Sequence, residues 1–89
     1  MKHLQIKVYG QVQGVAFRHM AKQKAETLNL TGFAENLTDG TVYLEVEGEE
    51  KSLDKFLKWC YQGSKWSHIE KVDFEFTDDL KNFNNFIIK

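Results

Sequence analysis

The sequence predicts an α+β fold in which one sheet carries two helices on a single face. Three observations say so. Apolar and polar residues alternate along residues 3–9, 41–47 and 71–77, the period of half-buried strands. Apolar residues recur at helical spacing over residues 17–28 and again over about residues 49–62. The segments follow one another as strand, helix, strand, strand, helix, strand, and a sheet with both helices on one face would bury both helical stripes.

In the first strand Leu4, Ile6 and Val8 share one face, and His3, Gln5, Lys7 and Tyr9 share the other. A junction holding Gly10 and Gly14 leads into the first helix, whose apolar stripe is Phe17, Met20, Ala21, Ala25 and Leu28. Asn29 suits the end of that helix. Residues 31–37 form a weaker second strand. Thr38-Asp39-Gly40 is a turn, and Asp-Gly between two strand-like runs signals a hairpin. In the third strand Val42, Leu44 and Val46 point inward, while Thr41, Tyr43, Glu45 and Glu47 point outward. Gly48 ends it. The second helix has Leu53, Phe56, Leu57 and Cys60 as its apolar face, with Glu49 and Glu50 at its positive end. Cys60 lies on that stripe, where packing fits better than reactivity. Residues 63–68 are a loop. Val72, Phe74 and Phe76 alternate in a fourth strand, residues 77–82 are polar and turn-like, and residues 86–88 make a short fifth strand. The order is the βαββαβ, split βαβ arrangement of ferredoxin-like folds, with a mixed sheet, and residues 1–89 are expected to form one domain. That architecture hosts unrelated functions, so chemistry has to be argued from particular residues. It does fix geometry. The first two strands run parallel with the third between them, so their C-terminal ends share one sheet edge, about 10 Å apart.

Composition narrows the classes. Hydrophobic residues are 42% and charged residues 28%, the balance of a globular chain and not of a disordered one. A net charge of -1 leaves no global basic field for nucleic acid. The first 29 residues nevertheless carry Lys2, Lys7, Arg18, Lys22 and Lys24 against Glu26 alone, a local positive field that draws in small anions. The single cysteine excludes an intrachain disulfide. There is no apolar N-terminal stretch of signal-peptide type and no run long enough to cross a bilayer. The expectation is a cytoplasmic monomer in a reducing setting, with no membrane or nucleic-acid partner. His3, His19 and His68 are scattered and form no zinc pattern with Cys60, so no metal is expected. Gly14 is followed by Val15-Ala16, unlike a Walker A loop, and the dinucleotide pattern G-x-G-x-x-G is absent. RNA-binding sheets of this kind want paired aromatics, whereas the first strand offers only Tyr9 and the third only Tyr43. No Ser, His and Asp set has motif support. His19 stands about 100° around the helix from Arg18 and is given no catalytic role.

The informative stretch is Gly10-Gln11-Val12-Gln13-Gly14-Val15-Ala16-Phe17-Arg18. It joins a strand to a helix N-terminus, where the first amides lack intrahelical partners and the helix dipole favours an anion. Arg18, the only arginine, falls in the first turn, with a planar fork suited to phosphate or carboxylate. A cation is disfavoured there unless a ligand compensates it. On these grounds the junction is either an anion site or a plain connection. Asn36, near the end of the second strand, is likewise open to two readings. Its amide both donates and accepts and so can hold a water, or it prepares the hairpin turn.

The string Gly10-x-Val12-Gln13-Gly14-Val15-x-Phe17-Arg18 resembles the signature of the acylphosphatases. Gly32-Phe33-Ala34-Glu35-Asn36, followed by Asp39-Gly40, is similar to the segment of that family whose asparagine orients the nucleophilic water. The likeness is tight at the junction and looser over nearly the whole chain. It implies a hydrolase that turns acyl phosphates into a carboxylate and orthophosphate. By that resemblance Arg18 and the amides of Val12, Gln13, Gly14, Val15, Ala16 and Phe17 cradle the phosphoryl group, and Asn36 holds the attacking water. It implies no metal, no organic cofactor and no side-chain base, the substrate's own phosphate taking the proton. Two positions depart from the family pattern. Gly63 is followed by Ser64, Lys65 and Trp66 where many members have Gly-Pro, in a loop expected to lie outside the site. Glu35 stands where a basic or neutral residue is common, and strand alternation turns it away from Asn36. Two other readings compete: a non-catalytic ferredoxin-like module for a small anion or a protein, and the acylphosphatase-like domain that begins larger carbamoyl-transfer maturation proteins. The absence of zinc-type cysteine pairs before Lys89 favours the free-standing enzyme over the latter.

Overall fold

The computed structural model describes residues 1–89. Its elements are β1 (Lys2–Gln11), α1 (Phe17–Thr27), β2 (Thr31–Asn36), β3 (Val42–Gly48), α2 (Glu50–Gln62), β4 (His68–Thr77) and β5 (Phe86–Ile88). The strand order in the sheet is β4-β1-β3-β2-β5. β3 pairs antiparallel with both β1 and β2, so those two are parallel and one strand apart. The expected fifth strand joins the edge, parallel to β2.

The register stacks the apolar faces. Leu4, Ile6 and Val8 stand opposite Val46, Leu44 and Val42 on one side and Phe76, Phe74 and Val72 on the other. Phe17, Ala21 and Ala25 of α1 and Leu53, Phe56 and Cys60 of α2 close the core over this face. Each large apolar side chain so buried contributes about 1.5–3 kcal/mol, which holds the helices more firmly than local propensity does. Burial pushes the Cys60 thiol well above its usual range, in keeping with packing and not reactivity. Met20, on the predicted stripe, is only half-buried. α1 stops where Asn29 adopts φ 58° and the Leu30 amide donates to the Ala25 carbonyl at 2.8 Å, a left-handed ending that asparagine tolerates.

Three features differ from the pattern read in the sequence. β1 runs on to Gln11 and β4 begins at His68, because the ladder shifts between Tyr9 and Gly10 and then resumes. Such a shift breaks the alternation that marks a strand. Gly10, at φ 128°, permits it, since a Cβ there would collide with the His68 carbonyl. Phe74 faces inward but is 47% exposed, as it stands on an edge strand.

The largest difference concerns the face without helices. His3 and Glu47 point outward, as alternation requires, and yet both are buried. His3 Nδ1 lies 2.7 Å from Glu47 Oε2. Its Nε2 lies 2.9 Å from Glu45 Oε1 without the alignment of a hydrogen bond. Residues 78–85 cover this cluster. The amides of Lys81 and Asn82 both donate to the Glu47 carboxylate, and Phe83 stacks on His3. Asn82 adopts φ 58°, a turn that aims successive amides at one anion. Burial would raise the Glu47 pKa, but the Lys81 amide, the His3 ring and the Asn82 amide outweigh it and hold the carboxyl below its usual value.

Candidate active site

The junction between β1 and α1 is built from two left-handed positions. Gly14 has φ 75° and Ala16 has φ 61°. At Gly14 the glycine answers to the backbone angle and not to space, as a Cβ would meet nothing within 4 Å. Ala16 immediately precedes α1, and no side chain caps the helix. An alanine in that conformation costs about 1–2 kcal/mol, the kind of strain that collects at binding loops. The amides of Gln13, Gly14, Val15 and Ala16 donate to no main-chain carbonyl. The first turn of α1 holds no acidic residue, so nothing in the helix offsets the positive end of its dipole.

Arg18 stands in that turn. Its Nη1 donates to the Lys89 main-chain oxygen at 2.6 Å, which fixes the guanidinium while leaving its other donors available. A cavity of about 160 Å³ opens beside it, lined by Val12, Gly14, Ala16, Phe17, Arg18, His19 and Ile88. Val12 and Phe17 are also buried in the core. They pin the two ends of the loop, Phe17 packing 5.0 Å from the ring of Trp59.

Two braces hold the loop between these pins. Gln13 Nε2 donates to the carbonyls of Leu37 at 2.8 Å and Thr41 at 2.9 Å, in the β2–β3 hairpin. Ser64 Oγ donates to the Val15 carbonyl at 2.8 Å. The loop after α2, expected to lie outside the site, therefore touches its framework, through a buried serine.

Asn36 ends β2, opposite Val42. It shares the helix-covered face with Ala34, and Glu35 between them turns away, as expected. Asn36 Oδ1 is buried and has no hydrogen-bond partner within the protein, so it is free to accept from a bound molecule. Beyond it Asp39 stabilises the turn. Its carboxylate accepts from the Thr41 hydroxyl and amide and lies 3.0 Å from Lys7 Nζ. The Thr41 hydroxyl, then Lys7 and the Thr41 amide, hold the Asp39 carboxyl down to about 2.

Of the residues singled out in the sequence, Val12, Gly14, Ala16, Phe17 and Arg18 meet at the cavity. Gln13 and Val15 are engaged in the braces, and Asn36 does not line the cavity wall. His19 does line it, although helical rotation had set it apart, and its ring lies 3.3 Å from Gln23 Nε2. Ile88 and Lys89 carried no sequence signal for the site, since only strand pairing brings the chain's last residues beside Arg18. No three His, Cys, Asp or Glu side chains converge as metal ligands.

Fold and site together define a small α+β protein with unpaired main-chain amides and an arginine at a helix start. Residues 4–88 match the acylphosphatase family profile. An acylphosphatase of Bacillus licheniformis is 42% identical over 88 residues, spanning 99% of this chain and 98% of that one. The crystal structure of acylphosphatase from Bacillus subtilis superposes with a TM-score of 0.97 at 31% identity, over 100% of this chain and 99% of that one. Full-length HypF in its phosphate- and nucleotide-bound form gives 0.90 at 31% identity, over 99% of this chain but only 12% of that one. The chain belongs to the acylphosphatase family, hydrolases that act on acyl phosphates and release orthophosphate.

Proposed function

We propose that Arg18 and the amides of residues 12–17 bind the phosphoryl group of an acyl phosphate, and that Asn36 holds the water that attacks it. The observation that carries this reading is the start of α1. A strained, uncapped helix N-terminus without acidic residues places an arginine beside a small cavity. The unpaired buried oxygen of Asn36, at the neighbouring strand end, supports the second half. A water held there donates one hydrogen to Asn36 Oδ1 and presents its lone pair to phosphorus.

The reaction asks little else of the protein. Water oxygen bonds to phosphorus, and the bond from phosphorus to the acyl oxygen breaks. Its electron pair leaves with the carboxylate, whose acid has a pKa of about 4, so no general acid is required. The proton shed by the water passes to a phosphoryl oxygen. Charge on the equatorial oxygens is met by preorganised amides and guanidinium, which is where most of the acceleration arises. We further assign the chain to a single acylphosphatase-like domain that works as a cytoplasmic monomer without metal. No helix is long and apolar enough to cross a membrane.

The test is hydrolysis of benzoyl phosphate by the purified protein in excess chelator, beside Arg18→Ala and Asn36→Ala. The expected result is metal-independent turnover that Arg18→Ala abolishes together with phosphate binding. Asn36→Ala should lose turnover and keep phosphate inhibition. Wild-type rates in either variant would overturn the assignment of that residue.

A further inference from the structure

The brace formed by Gln13 is more than a loop anchor. Both of its contacts are main-chain carbonyls, so the side-chain amide presents its nitrogen to the hairpin and spends both hydrogens there. The two carbonyls are the ones that close the turn. Leu37 N donates to Thr41 O at 2.9 Å, and Gly40 N donates to Leu37 O at 3.2 Å. Gln13 thus takes the second lone pair of each. Leu37 directly follows Asn36, and Thr41 precedes Val42, the residue paired with Asn36. The main chain of Gln13, meanwhile, belongs to the cradle, one residue before Gly14.

We infer that Gln13 is a positioning residue, which sets the separation between the amides that hold the phosphoryl group and the asparagine that holds the water. This rests on the reading of Asn36 given above. No main-chain bond ties residues 13–16 to the hairpin. The cradle keeps an independent brace at the other side, from Ser64 to Val15. Loss of the Gln13 bonds therefore leaves the cradle formed but frees its spacing from Asn36. In-line attack is sensitive to that spacing, where a displacement of about 1 Å can cost about a hundredfold. Phosphate binding is not, since it involves the cradle alone.

The experiment is Gln13→Met, which keeps length and shape at an exposed position but removes both donors, measured alone and combined with Asn36→Ala. The readouts are kcat, KM and the inhibition constant of inorganic phosphate. The expected result is a fall in kcat of about ten- to a hundredfold with phosphate inhibition changed less than about twofold. In the Asn36→Ala background the same substitution should have no further effect, because both act through one water. An unchanged kcat, an equal loss of phosphate inhibition, or full additivity in the double variant would each overturn the proposal. Wild-type turnover in Asn36→Ala alone would remove the water-holding role itself, and the positioning role with it.

Discussion

The molecule gathers main-chain amides that no main-chain carbonyl takes in two places, each beside a left-handed residue, and treats them oppositely. At residues 81 and 82 two amides meet the carboxylate of Glu47, with Asn82 at φ 58°. At residues 13–16 four amides meet no main-chain acceptor, with Ala16 at φ 61°. The first turn carries its own anion in a glutamate of the neighbouring sheet. The second carries a cation, Arg18, and no acid in the following helical turn. Similar backbone geometry therefore serves structure where the chain supplies the charge, and on the proposed reading serves binding where the phosphoryl group would supply it.

That contrast can be broken from either side. The largest effect is expected at the filled turn. Glu47→Ala strips a buried ring and two amides of their acceptor and should lower unfolding free energy by about 3–5 kcal/mol in urea titration. Next comes Arg18→Ala at the open one. It should reduce kcat/KM by a factor equivalent to about 2.7–4 kcal/mol, while the thermal midpoint stays near that of the parent protein. Ala16→Asp would make the open turn resemble the filled one. A cap of this kind stabilises a helix by about 0.5–2 kcal/mol, and the new carboxylate should weaken inhibition by phosphate in the same samples. The smallest effect is on pH dependence. The folded-state pKa of Glu47 is depressed, so its contribution is full above the ordinary carboxylate range and disappears as pH falls through the folded value. Glu47→Gln should flatten that part of the acid limb of a stability profile, and an unchanged profile would show that the carboxylate contributes nothing there.

What could be seen in the sequence follows the same division. Periodicity located β1, α1, β3, α2 and β4, because each shows one buried face, while β2 was a weaker pattern and β5 was read from a short apolar run. The open turn was visible because glycines, an arginine and a strand-to-helix switch lie within nine residues. The filled turn was not. Alternation places His3 and Glu47 on the outer face correctly, but what buries them is residues 78–85, a stretch without periodicity. The Ser64 and Gln13 braces escaped for a related reason. A single side chain donating to a carbonyl 49 or 24 residues away leaves no local pattern. Lys89 reaches Arg18 across 71 residues, with β5 as the only clue.

The strand order also sets a search problem for the unfolded chain. β1 is flanked on both sides by partners from far along the sequence, His3 facing Glu47 on one side and Thr77 on the other. Closing loops of that size costs chain entropy before any pairing rewards it. The sequence has no proline, so peptide isomerisation is removed as a source of delay. The pace of folding is left to topology alone, on the order of milliseconds to seconds. The same arrangement ties the proposed site to long-range closure, since Gln13 meets Leu37 and Thr41 only where β3 pairs with β1, and Arg18 meets Lys89 only where β5 pairs with β2.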